Sequence, residues 1–159
     1  MNFTPEKNVV RTLIIRSGDY SSDPVQFSVP LSFNEPEFDH CYIKLKQFLL
    51  DESTTIQQDS VLKSIYVQAD LGQKVYDSKS RRNYLGSLHC EFTSDNYFKI
   101  SEMENPLIEL PNIPHGVYNF KVTDVDGDLL TVNDGQANQD ISAHNITLVF
   151  ELYFCKRKY

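Results

Sequence analysis

Short apolar–polar alternations, each closed by a cluster of turn-forming residues, run along most of the chain. Residues 9–16 (VVRTLIIR) form the first apolar segment and end in a polar turn, 17–24. Residues 25–32 alternate cleanly, with Val25, Phe27, Val29 and Leu31 on one side and Gln26, Ser28, Pro30 and Ser32 on the other. That period of two is what a strand covering one face of a core requires. Pro30 lacks a backbone donor, which puts its strand at a sheet edge or a bulge. Residues 41–50 set Cys41, Ile43 and Leu45 against Tyr42, Lys44 and Lys46, and residues 61–70 point Ile65, Val67 and Ala69 inward. Residues 84–92 place Tyr84, Leu88, Cys90 and Phe92 on one side, and 97–100 make a short strand. Residues 117–132 (VYNFKVTDVDGDLLTV) predict a β-hairpin, because Asp126-Gly127 readily supplies the positive φ angles of a tight turn. Residues 146–154 alternate Ile146, Leu148, Phe150, Leu152 and Phe154 on one face, the strongest core strand in the sequence.

Eight or nine strands separated by turn signals, with no amphipathic helix of ordinary length, predict an all-β antiparallel β-sandwich. The strand count suits a single jelly roll of about eight strands. The expected organisation is a flexible N-terminal arm (1–8), one sandwich domain (9–155) and a basic C-terminal tail (156–159). Residues 51–59 predict a polar loop, and 72–83 a polar insertion with a mobile excursion at its centre. Residues 109–116, with two prolines and a glycine, predict an irregular lead-in to the hairpin.

Composition sharpens this picture at a few points. The 10 Phe and 9 Tyr reinforce the strand assignment. A net charge of −7 argues against wrapping nucleic acid, which needs a basic face. The compact basic groups, Lys79-Ser80-Arg81-Arg82 and Lys156-Arg157-Lys158, are those of a solvated loop and a terminus. Cys41, Cys90 and Cys155 have no zinc-site spacing and, being three, form no closed disulfide framework; Cys41 and Cys90 share a face with apolar neighbours, so buried free thiols are expected there. The opening residues lack the regions of a signal peptide, and no apolar run approaches the ~20 residues that span a bilayer.

Catalytic signatures do not emerge. His40, His89, His115 and His144 stand in no metal-ligand spacing. Gly86-Ser87 lies within a strand and lacks the G-x-S-x-G frame of a nucleophile elbow, and no phosphate-binding glycine loop occurs. Glu91, Glu102, Glu104 and Glu109 are close in sequence, but solvated loop acids are the common case. No enzyme activity and no cofactor are expected.

The acidic cluster Asp124, Asp126, Asp128 and Asp134 invites a calcium hypothesis. An EF-hand loop needs glycine at its sixth place and glutamate at its twelfth. Counting from Asp124, those places hold Leu129 and Gly135, and the cluster sits between strands, so the EF-hand register fails. Asp19 with Ser22-Asp23-Pro24-Val25, and Asp124-Val125-Asp126, resemble two loops of C2 domains, which bind calcium and phospholipid at one end of a sandwich. That resemblance makes Asp19, Asp23, Asp124 and Asp126 candidate calcium ligands. Their separation of about a hundred residues exceeds the spacing expected of that family.

A second resemblance covers more of the chain. Ile15-Arg16-Ser17-Gly18-Asp19-Tyr20 followed by Phe27-Ser28-Val29-Pro30-Leu31 is similar to the opening of single jelly-roll minor capsid and penton-type proteins of large double-stranded DNA viruses, virophages and Polinton-like viruses. Those proteins often carry I-x-S-x-D-R and F-x-V-x-L phrases there; Tyr20 stands where arginine is common. Residues 64–86 and the F-x-V-x-D-x-D-G hairpin followed by a last apolar strand also look similar. The resemblance implies a non-enzymatic virion protein, made in the host cytoplasm or nucleus, that associates with itself and with other capsid proteins, as a pentamer if it is a penton. Two alternatives stay open: a recognition sandwich (a fibre head or carbohydrate-binding module) contacting its partner through Tyr20, Tyr42, Tyr76 or Tyr84, and a C2-like calcium-dependent membrane-binding domain.

Overall fold

The computed structural model describes residues 5–50, 55–56, 64–76, 81–92, 98–100, 105–130, 132–133 and 146–157. Among them are eleven strands: β1 (Pro5–Arg16), β2 (Gln26–Ser32), β3 (His40–Leu50), β4 (Thr55–Ile56), β5 (Ser64–Tyr76), β6 (Arg81–Phe92), β7 (Phe98–Ile100), β8 (Ile108–Glu109), β9 (His115–Thr123), β10 (Val132–Asn133) and β11 (Ile146–Arg157). One antiparallel sheet has the order β1-β11-β3-β8, and the other β2-β9-β5-β6-β7; β4 and β10 form a separate two-stranded ribbon.

The pairing is nested. β1 pairs with β11, β2 with β9, β3 with β8 and β5 with β6, all antiparallel. Two further ladders, β11 with β3 and β9 with β5, join these pairs into sheets. A long hairpin folded back on itself in this way is a single jelly roll, as the strand count predicts.

The inward residues are those the alternation singles out. Val25, Phe27, Val29 and Leu31 are buried, as are Cys41, Ile43, Leu45, Ile65, Val67, Ala69 and all five alternating residues of β11. Aromatic rings tie the layers together. Phe27 and Phe120 stack with centroids 5.7 Å apart, and Phe120 meets Phe150 of the opposite sheet at 6.3 Å. Such offset and edge contacts add to the area that each ring buries. Pro30 lies on β2, an edge strand, where its missing N–H costs no ladder bond.

Several sequence expectations change. β1 starts at Pro5, whose register partner is Arg157, so residues 5–8 belong to the sheet and are not an arm. β11 likewise runs through Arg157, two residues into the expected tail. The polar insertion 72–83 is largely strand, because β5 and β6 continue their ladder through Gln73↔Tyr84, Lys74↔Asn83, Val75↔Arg82 and Tyr76↔Arg81; of the mobile excursion expected at 77–82, Arg81 and Arg82 are thus in the ladder, and residues 77–80 lie outside the described residues. Within the loop expected at 51–59, Thr55 and Ile56 form β4. The hairpin at 117–132 is only a tight turn: Thr123 bridges Leu129, but then the chain leaves, and β10 pairs with β4. β9 takes β2 and β5 as its partners instead.

Tyr84 is also reversed. The register shifts between Val67↔Gly86 and Gln68↔Tyr84, so Leu85 is an extra residue that turns into the core, fully buried. Such a bulge flips the facing of what precedes it. Tyr84 stays half-buried beside Tyr66, its ring centroid 6.0 Å away, with its hydroxyl donating to Ser87 Oγ.

Two buried polar residues pin the sandwich. Ser17 Oγ accepts the N–H of Ile146 at 2.9 Å, joining the end of β1 to the start of β11. Asn105 Oδ1 accepts the Ser87 N–H at 3.0 Å, and its amide donates to the Leu45 carbonyl at 3.4 Å, so one side chain links the two sheets. Beside it the sheets come so close that a Cβ on Gly86 would lie 2.9 Å from Leu45 Cβ and 3.2 Å from Asn105 Cγ. Gly86→Ala should therefore destabilise the protein by about 1–3 kcal/mol through overpacking, read as a lower urea midpoint in equilibrium unfolding.

Candidate functional site

Strand direction gathers the candidate aspartates at one end of the sandwich. Gln26 pairs with Lys121, and Val122 donates its N–H to the Val25 carbonyl at 2.9 Å, so the segments holding Asp23 and Asp124 leave the sheet side by side. Asp19 stands exposed on the 3-10 turn Ser17–Asp19, on the connection that leads to Asp23. The topology thus brings the two C2-like segments to one end despite their distance in sequence.

The carboxylates of Asp23 and Asp124 are engaged locally. Asp23 Oδ1 accepts the Val25 N–H at 3.0 Å. Asp124 Oδ1 accepts the N–H groups of Asp126 at 2.8 Å and Asp128 at 3.0 Å, while the Asp124 N–H donates to the Asp128 carbonyl. Aspartate supplies local acceptors of this kind in turns, and Gly127 takes the positive φ, 90°. Among the described residues no group of three or more His, Cys, Asp or Glu side chains is arranged to hold a metal. Asp134 lies outside the described residues. The exposed side chains of Tyr20, Val125 and Leu129 also belong to these loops.

The remaining sequence candidates are dispersed. His40 Nδ1 contacts Asp39 Oδ1, and His115 Nδ1 is hydrogen-bonded to Ser32 Oγ at 3.0 Å. His89 is exposed. His144 and the side chains of Tyr76, Cys90, Glu91, Glu102 and Glu104 lie outside the description. Cys41 and Cys155 are buried thiols outside any disulfide. Burial pushes the Cys41 thiol up to about 12, with the neighbouring Cys155 adding to the effect, so Cys41 stays protonated and a poor nucleophile at neutral pH.

Both outer faces mix polar and apolar residues. On the β2-β9-β5 face, Ser28 Oγ donates to Asn119 Oδ1, and Asn119 donates to Asp70 from both its backbone N–H, at 2.9 Å, and its side-chain amide, at 3.2 Å. Val117 of β9 is 66% exposed there, while on the β1-β11-β3 face Val10, Ile14 and Leu49 stand 47, 50 and 49% exposed. Tyr42, Val149 and Tyr153 are half-buried on the same face. Across its middle run Thr12, Glu151 and Lys44, opposite one another on adjacent strands. The Tyr153 hydroxyl donates to Glu151, and that bond, assisted by Lys46 (3.7 Å) and Lys44, holds the Glu151 carboxyl below its ordinary value. The exposed apolar residues on this face gave no signal, because alternation separates inward from outward positions without saying which outward ones gather into a patch. No helix among the described residues is long and apolar enough to cross a membrane. No protein-family model matches the chain, and no curated protein matches it.

Two outcomes follow. Asp124→Ala should lower stability by about 1 kcal/mol through lost turn hydrogen bonds, while millimolar calcium leaves the wild-type melting temperature unchanged; a calcium-dependent rise in a thermal-shift assay contradicts the turn assignment. Tyr153→Phe should raise the Glu151 pKa, followed by carboxyl-carbon NMR titration. Because the folded value is the lower one, the pair's contribution is present above the unfolded glutamate pKa and disappears as the pH falls through the folded value.

Proposed function

We propose that the chain is a non-enzymatic virion structural protein, a minor capsid or penton-type subunit that assembles through contacts with its own copies and with other capsid proteins. Jelly rolls host many functions, so the proposal leans on more than the architecture. Its main support is that the residues carrying the resemblance have defined work in the fold. Ile15 is fully buried, and Ser17, two positions on, holds the first N–H of β11. Phe27, Val29 and Leu31, the apolar positions of the second phrase, are buried in β2. Phe120 and Val122 of the late phrase are buried, and Asp124 and Gly127 build its turn. The exposed apolar residues on the outer face of the β1-β11-β3 sheet add a surface of the kind protein–protein contacts use.

The purified protein should form concentration-dependent oligomers in light scattering and should capture the major capsid protein encoded alongside it. A monomer at high concentration that captures no such protein argues against a virion role.

A further inference from the structure

A sandwich has four sheet edges, and here they are protected very unequally. Two end in short strands, β8 with two residues and β7 with three. The third, β2, is interrupted by Pro30 and turns Gln26, Ser28 and Ser32 outward. Shortness, proline and polar side chains are the usual means by which an edge resists pairing with another strand. The fourth, β1, has its proline and its register shift only at its start, Pro5 to Lys7; from Asn8 on, its polar residues Asn8, Arg11, Thr12 and Arg16 are interleaved with Val9, Val10, Leu13, Ile14 and Ile15. It is twelve residues long, it lies at the end of its sheet, and its outward positions include Val10 and Ile14, about half exposed. A long edge of this kind is a template for a further strand.

The sequence of β1 is complementary to itself in one register. Antiparallel partners must present their backbone groups to each other at the same positions, so across a two-fold axis even-numbered residues face even and odd face odd. Centring the axis on Thr12 sets Val10 opposite Ile14 and Ile14 opposite Val10, joining the exposed apolar residues in two cross-strand pairs. It also sets Asn8 opposite Arg16 and Arg11 opposite Leu13. Shifting the axis to Arg11 brings Arg11 against Arg11, and like charges directly opposite are unfavourable; it also sets Ile14 against Asn8. Shifting it to Leu13 sets Val10 against Arg16. Arg11 is already engaged by Glu35 at 3.1 Å on its own chain, so the Thr12-centred register requires no new partner for it.

We propose that β1 is a homotypic docking edge: two copies of this chain pair β1 to β1, antiparallel about Thr12, and their four-stranded sheets merge into one of eight strands. The outer faces then run continuously from one copy to the other. This deepens the self-association proposed above, resting on that reading for its biological setting, and names the strand and the register.

The register makes a distinctive test possible. In V10K/I14E every lysine faces a glutamate of the other copy, whereas in V10K/I14K lysine faces lysine. Both positions are half exposed, and circular dichroism melts check that both variants fold. Sedimentation equilibrium should give a dimer for the wild type and for V10K/I14E, and at least a tenfold weaker one for V10K/I14K. In a C90S background, T12C should form a disulfide-linked dimer on mild oxidation, because directly opposed residues of an antiparallel pair lie about 4.5–5.5 Å apart at Cα, within disulfide reach; N8C, which faces Arg16, should not. Equal association of both double variants, or no cross-link through T12C, overturns the β1 edge while leaving self-association through another surface. A wild-type monomer at the highest concentration also overturns it, and capture of the major capsid protein by that monomer separates this failure from failure of the virion role.

Discussion

The fold depends on where β11 goes. It enters the sheet between β1 and β3, with ladders on both sides, and five of its side chains are almost wholly buried. Removing one of them, such as Phe150, would leave a cavity of the kind that costs about 3–5 kcal/mol. Both ladders are long-range: β11 closes against the first strand of the chain as well as the third. A topology dominated by such distant pairings folds slowly, because loop-closure entropy is lost before the contacts that offset it form. Ser17 helps to fix the geometry of this closure. Its hydroxyl meets Ile146 at the point where β1 ends and β11 begins, 129 residues apart in sequence.

The second constraint is the distance between the sheets. Bulky side chains fill most of the interlayer space, with Phe120 and Phe150 meeting across it. Near Gly86 the gap narrows until it has no room for a methyl group, and Asn105 spans it with hydrogen bonds to backbone on each side. A buried amide is tolerated when its donors and acceptors are used. This one also sets the position of Leu45 and Ser87 relative to each other, so it specifies alignment as well as satisfying its own polarity.

Much of this was legible in the sequence, since strict period-two alternation determines which side of a strand faces the core. Val25 through Leu31 and Ile146 through Phe154 needed nothing else, and Pro30 marked an edge strand for a local chemical reason. Tyr84 was misjudged because alternation cannot see a bulge: one extra residue, Leu85, reverses the facing of all that precedes it. The hairpin was over-extended because Asp-Gly chemistry specifies a turn, while the partner of the next segment depends on distant β4. Asn105 gave no signal, as its partners lie 18 and 60 residues away. The convergence of Asp23 and Asp124 depends on β2 pairing with β9, a fact of topology that spacing along the chain conceals.

The first ladder pair has a mechanical consequence. Pro5 stands beside Arg157 at one end of the β1–β11 ladder, so the two strands reach that corner from the same direction. A force drawing these two residues apart acts across the ladder at its tip and opens its hydrogen bonds one after another, like a zipper. Strands whose pulled ends lie at opposite tips would have to slide past each other and break many bonds together. Among the described residues β1 has one ladder to lose, so it can be peeled from the sheet while β11 remains held by β3.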